Sequence, residues 1–140
     1  MIDLNSKFGR KVMRHLRQQY FVWFTTVGSD LAPHPRPVWF IWDHDSFLIY
    51  SQPQAYKVRH LMKHPKVALH FNSSDEKGEQ DVIVFIGTAT IDPHVPPAHK
   101  IPAFMKKYRA GVKALNMTPE ELGMEYSTAI RVTPTSMRGE

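Results

Sequence analysis

The 140-residue chain contains no cysteine. Disulfides, thiolate metal sites and a cysteine nucleophile are therefore excluded, and a reducing, cytoplasmic setting is expected. No apolar stretch approaches the ~18 residues of a membrane-spanning helix. The opening, Met1-Ile2-Asp3-Leu4-Asn5-Ser6-Lys7-Phe8, lacks the apolar core of a signal peptide. There is no Gly-x-Ser-x-Gly elbow and no glycine-rich phosphate loop, so serine hydrolysis and the common nucleotide folds have no motif here. The net charge is +5, yet the basic residues are spread from Lys7 to Arg138 without a long run. That pattern argues against nucleic acid as a partner.

What the chain does have is aromatic and branched residues in short segments. Residues 5–18 place Phe8, Val12, Met13 and Leu16 on one face of an amphipathic helix. Tyr20 to Val27 reads as a strand ending at the turn Gly28-Ser29-Asp30. In the next segment Pro33, Pro35 and Pro37 alternate with His34, Arg36 and Val38. Alternate prolines strip one side of an extended strand of donors, so that side belongs at a sheet edge. The strand is expected to continue through Trp42 to a hairpin turn at Asp43-His44-Asp45, with Ser46 to Ser51 returning.

Ala55 to Lys63 is expected to be helical, entered through Pro53 and stopped by Pro65. Val67 to Phe71 and Val82 to Ile91 read as strands joined by a polar loop. After a proline-rich connection from Asp92 to Pro102, Ala103 to Leu115 reads as a helix. Thr118-Pro119-Glu120-Glu121 is a capping box opening a short helix. Ser127 to Thr133 is the last strand. Strands set mostly side by side with few helices predict a mainly β fold with minor α content, an antiparallel barrel with flanking helices.

Three features could bind an anionic, ring-bearing ligand. Arg36-Pro37-Val38-Trp39-Phe40 is a cation leading into an aromatic strand. Tyr50-Ser51 sits at a strand end. Lys57-Val58-Arg59 opens a helix six residues later. A helix N-terminus, a hydroxyl and two cations suit a phosphate, and the aromatic strand suits a flat ring. Among the eight histidines, His60 and His64 share a helix face. A zinc site needs a third ligand, and no Glu or Cys stands at a familiar spacing. Both are expected on the outer helix face, and no metal is expected.

Trp23-Phe24-Thr25-Thr26-Val27, Pro35 to Phe40, Phe47-Leu48-Ile49-Tyr50-Ser51, Lys57 to Leu61, His64 to Leu69 and Ile86-Gly87-Thr88-Ala89 follow one another in a familiar order. In this they resemble the flavin-binding split barrels of the pyridoxamine 5′-phosphate oxidase superfamily, above all its short branch of FMN- or deazaflavin (coenzyme F-420)-dependent oxidoreductases. The resemblance implies an antiparallel split β-barrel as a single domain over 1–140, and a homodimer with the cofactor at the subunit interface. It assigns Arg36, Pro37, Val38 and Trp39 to the ring and ribityl chain, Tyr50 and Ser51 to the chain and phosphate, and Lys57 and Arg59 to the phosphate. It brings Gln80 and Asp81 from the partner.

The resemblance further implies an oxidoreductase acting on a small organic molecule, with FMN as cofactor or the deazaflavin as the alternative. No side chain is expected to be catalytic, because the flavin carries the hydride chemistry. A non-catalytic flavin carrier or sensor would use the same pocket. Some split barrels bind haem, but no axial histidine stands out. The vitamin B6 oxidase has C-terminal Arg and His groups that hold the substrate phosphate. This sequence closes at Arg138-Gly139-Glu140, so a substrate other than pyridoxamine phosphate is expected.

Overall fold

The three alternate prolines decide where the sheet ends. In the computed structural model, which describes residues 2–73 and 81–139, strand β2 (Pro33–Trp39) pairs on one side only, with β1 (Phe21–Val27). The register sets Pro33, Pro35 and Pro37 opposite Val27, Thr25 and Trp23. On the other side β1 pairs with β5 (Lys66–His70), while among the described residues no strand pairs with the far side of β2. The prolines accordingly face outward, where no ladder bond is needed.

The sheet has seven strands in the order β2-β1-β5-β6-β7-β4-β3, all antiparallel. Here β3 is Ile41–Asp43, β4 Ser46–Ser51, β6 Ile83–Ile91 and β7 Thr128–Gly139. The two edge strands, β2 and β3, are consecutive in the chain, with only Phe40 between them. A sheet whose opposite edges are one residue apart must curl, and this is the physical origin of the barrel. The expected continuous strand from Pro33 to Trp42 is thus corrected. The chain leaves one edge at Trp39 and joins the other at Ile41.

That crossing is held from outside. Helix α3 (Pro102–Ala114) presents Tyr108, whose hydroxyl oxygen accepts the Phe40 N–H at 2.9 Å. Its proton lies between the carbonyls of Tyr20 at 2.6 Å and Phe40 at 2.8 Å. Lys107 Nζ also donates to the Phe40 carbonyl at 2.9 Å, and it stands 3.8 Å from the Phe40 ring centroid. Burial brings the Lys107 ammonium down to about 8 and pushes the Tyr108 phenol far up.

The barrel interior is apolar, with Phe24, Phe40, Phe47, Ile49, Leu69 and Phe85 all nearly inaccessible. Helices α1 (Lys7–Gln18) and α2 (Tyr56–Lys63) add Val12, Leu16, Val58 and Leu61 to this cluster. Ser6 caps α1 by accepting the Gly9 N–H at 2.9 Å. A second cluster lies on the outer face of β3, β4 and β7. There α3, a 3-10 turn at Ala98–Lys100 and α4 (Pro119–Glu125) bring Phe104, Tyr108, Val112 and Leu122 against Ile41, Leu48 and Ala129. The predicted capping box is present at Thr118 and Glu121.

The hairpin turn at His44 and Asp45 has φ of 52° and 56°, as a two-residue turn matched to strand twist requires. The last strand exceeds expectation. It runs past Pro134 to Gly139 because a bulge absorbs the proline: Gly87 is matched with Pro134 and Ile86 with Ser136, leaving Thr135 as the extra residue. A side chain at Gly87 would sit 2.7 Å from the Thr133 carbonyl, so the bulge needs glycine there.

Candidate functional site

Successive side chains of a strand point to opposite faces, and on β2 this alternation creates two neighbouring hollows. His34, Arg36 and Val38 share the face matched to Thr26, Phe24 and Val22. Pro37 and Trp39 share the other, with Phe21. The larger hollow, about 750 Å³, opens on the first face and is bounded by Arg36, His34, Thr26 and the start of α2. The smaller, about 410 Å³, opens on the second and is bounded by Trp39, Phe21, Tyr50 and the helices of the outer cluster. Pro37, Val38 and Lys57 border both.

The larger hollow carries the cations Arg36 and Lys57 and, among its described lining residues, one carboxylate, Asp30, which stands 3.7 Å from His34 Nε2. The Lys57 ammonium is held below the ordinary lysine range, first by burial and then by the Arg36 charge beside it. Neither Arg36 nor Lys57 has an acidic partner among the ion pairs of the described residues. Lys57 lies in the first turn of α2, whose N-cap residue, Ala55, has no side chain able to cap. Orphan N–H groups and two cations in one recess favour an anion.

His60 and His34 complete this wall. Their ring centroids are 4.8 Å apart, and His60 Nδ1 lies 2.9 Å from the hydroxyl of buried Thr26. Burial, followed by the charge of His34, lowers the His60 imidazole pKa. The expectation that His60 lies on an outer helix face is therefore corrected: it faces β1 and β2 across the hollow.

The smaller hollow is walled by stacked rings. Trp39 lies against Tyr108 with centroids 4.5 Å apart and planes 10° apart, and Phe104 packs on Tyr108 at 4.9 Å. A side chain at Gly111 would come within 3.0 Å of the Trp39 indole, so the glycine lets α3 approach the ring. Tyr50 meets Phe104 edge-on at 5.5 Å.

The structure places the sequence-derived site residues unevenly. Arg36, Pro37, Val38 and Lys57 border the cationic hollow; Pro37, Val38, Trp39, Tyr50 and Lys57 border the aromatic one. The Tyr50 hydroxyl donates to the Pro96 carbonyl at 2.6 Å, and burial pushes its pKa up to about 12. The Ser51 hydroxyl is fully buried and donates to the Gln52 carbonyl at 2.9 Å. Arg59 is exposed over the Tyr56 ring, 4.8 Å from its centroid, and borders neither hollow.

Asp81 is matched to α1, with His15 Nε2 at 2.8 Å and Lys11 Nζ at 3.1 Å. Those two partners hold its carboxyl below the usual range. Gln80 lies outside the described residues. Among the described residues no group of three or more His, Cys, Asp or Glu could hold a metal ion.

Sequence reasoning missed His34 and Thr26, although the period-two alternation with Arg36 was a signal for His34. It also missed Phe104, Leu115, Leu122 and Tyr126, which arrive from the segment between β6 and β7.

The site fits a flat ring bearing a phosphate: unneutralised cations border one recess, and an aromatic recess of ligand size adjoins it. No curated protein matches the chain. Solved structures do. One is a conserved hypothetical protein from Mycobacterium tuberculosis, 18% identical, with a TM-score of 0.75 over 96% of this chain and 83% of that one. An F-420 reductase is 19% identical, with a TM-score of 0.64 over 89% and 94%. HutZ, a haem storage protein from Vibrio cholerae, is 11% identical, with a TM-score of 0.64 over 95% and 94%. At these identities the likeness is one of fold. The sequence model described as pyridoxamine 5′-phosphate oxidase matches residues 8–139, nearly the whole chain, and so the chain belongs to the pyridoxamine 5′-phosphate oxidase family.

Proposed function

We propose that this protein is an oxidoreductase that uses FMN or the related deazaflavin on a small organic substrate, as a homodimer in the cytoplasm. The observation that carries the reading is the unneutralised pair Arg36 and Lys57, on a wall shared with an aromatic recess. A bound flavin supplies hydride chemistry. The chain's residues bind and orient it. Arg36 and Lys57 would hold the phosphate, with the uncapped start of α2 adding to the field. Pro37, Val38 and Trp39 would flank the ring. Tyr50, which donates its hydroxyl proton to the Pro96 carbonyl and has its pKa pushed up to about 12 by burial, stays neutral at ordinary pH and adds no charge to the recess.

Two further supports bear on the cofactor. The family match points to FMN-type chemistry, while the F-420 reductase neighbour keeps the deazaflavin in play. The absorbance spectrum and mass of the molecule that copurifies with the protein test the choice. A flavin or deazaflavin at one per chain is the expected result, and a haem spectrum would refute the reading. A substrate-dependent change in flavin absorbance separates an enzyme from a carrier. Light scattering of the loaded protein is expected to give twice 16.2 kDa.

A further inference from the structure

The larger hollow sets two imidazoles beside its two cations. His34 and Arg36 stand two apart on β2 and share a face; Lys57 and His60 stand three apart on α2 and share another. Arg36 and Lys57 are charged at neutral pH, whereas imidazoles take up charge in mild acid. The rings of His34 and His60 are 4.8 Å apart, and His60 Nδ1 lies 2.9 Å from the hydroxyl of buried Thr26. A hydroxyl donates to a neutral imidazole or accepts from a protonated one, so this contact survives either state. The charges around His60 are mostly positive: His34 and Arg36 on β2, with Lys57, Arg59 and His64 on its own helix. Tyr56 stacks beside it at 6.4 Å, and Asp30, 3.7 Å from His34 Nε2, is the one carboxylate among the described lining residues. Burial, then the charge of His34, disfavours the protonated His60 ring. A dianion settling between Arg36 and Lys57 would reverse that balance, because it attracts a proton to the neighbouring ring.

We propose that His34 and His60 make anion binding in this hollow proton-coupled: a dianion held by Arg36 and Lys57 draws a proton from solvent onto the histidine pair, and it is held more tightly in mild acid than above neutrality. This device rests on the reading that Arg36 and Lys57 anchor a phosphate, but not on which flavin carries it or on any redox turnover. Linkage fixes the sign. Binding raises the imidazole pKa, so affinity is highest below the ligand-free pKa and falls until the bound pKa is passed.

Sulfate is the probe, because it stays a dianion throughout the histidine range, whereas the phosphate of FMN itself titrates there. Calorimetry on the full chain without cofactor should show sulfate affinity falling about tenfold from about pH 5.5 to about pH 8, as a one-unit rise in imidazole pKa requires. Binding heats near neutrality, in buffers of different ionisation enthalpy, should report protons taken up with the sulfate. His60→Asn and His34→Asn should each flatten the fall and abolish the uptake, while any decline that belongs to Lys57 persists. His60→Lys, whose charge does not titrate in this range, should keep the tighter affinity throughout. His64→Asn, at the end of α2 and off the lining, should leave the fall unchanged. Sulfate that fails to bind, equal affinity at both ends of the range, or a fall unmoved by His60→Asn and by His34→Asn would overturn the proposal. FMN titrated at one pH keeps the two readings apart. Absent FMN binding with the sulfate fall intact would refute the flavin and leave the proton coupling standing; FMN binding without the fall would do the reverse.

Discussion

The two faces of β2 differ sharply in chemistry. One displays His34 and Arg36 toward Lys57 and the start of α2; the other displays Pro37 and Trp39 toward Phe104 and Tyr108. A strand of seven residues thereby borders an anion site and an apolar site at once. The lesson is that the pleat, rather than any single residue, sorts the chemistry. Because side chains alternate, a one-residue slip would exchange the two faces. The register is pinned against this by the outward prolines and by Val38, which packs on the barrel core.

The largest effect should come from the apolar side. Phe104 is nearly inaccessible and packs on both Trp39 and Tyr108. Phe104→Ala is expected to cost about 3–5 kcal/mol of stability in denaturant melts, as large-to-small core changes do. It should enlarge the aromatic hollow while leaving phosphate recognition in place. Comparable loss of FMN affinity and of stability would show that the two faces are not separable.

On the cationic side the converse is expected. Lys57→Ala, and separately Arg36→Ala, should weaken FMN or deazaflavin binding by about 1.5–3 kcal/mol, the range for a hydrogen bond to a charged group. Neither should lower the melting point of the unliganded protein much, since each removes a repelling charge. The Lys57 ammonium is depressed, so it loses its proton earlier than an ordinary lysine as pH rises. Cofactor affinity should therefore fall with rising pH, beginning below the usual lysine range, and that fall should vanish in Lys57→Ala.

Tyr108 joins the aromatic side to the barrel seam. Tyr108→Phe keeps the ring stack but leaves the buried Phe40 N–H without its acceptor. A loss of about 1–3 kcal/mol is expected. The smallest effect concerns Lys107, depressed to about 8 from 10.5 by burial. A folded pKa below the unfolded value means that the unfolded chain binds more protons between pH 8 and 10.5. Stability from this group then rises with pH across that window and is lost as pH falls through 8. Thermal melts of wild type should gain on those of Lys107→Met as pH climbs from 8 toward 10.

Much of the fold could be read from the chain. Alternate prolines announced the edge strand, Thr118 to Glu121 the capped helix, and the spacing of Val12 and Leu16 the first helix. Less visible were features that depend on partners far along the chain. The break at Phe40 has no turn residue; it is imposed by barrel closure and held by Tyr108, 68 residues on. Pro134 reads as a strand end, but a bulge opposite Gly87 accommodates it. In the site, Arg36, Trp39 and Lys57 were legible because motif order carried them. Ser51 and Tyr50 look free as letters, yet their hydroxyls are satisfied by the Gln52 and Pro96 carbonyls. His60 looked like an exposed helical residue because its partner, Thr26, is 34 positions away.

The central claim is that Arg36 and Lys57 hold the phosphate of a flavin-type cofactor. The direct measurement is the affinity of the cofactor-free protein for FMN against riboflavin, and for coenzyme F-420 against its phosphate-free chromophore. In at least one pair the phosphate-bearing member should bind more tightly, by about tenfold or more. That gap should close in both Arg36→Ala and Lys57→Ala. Equal affinity within both pairs in the wild-type protein, or a gap untouched by either substitution, would contradict the account.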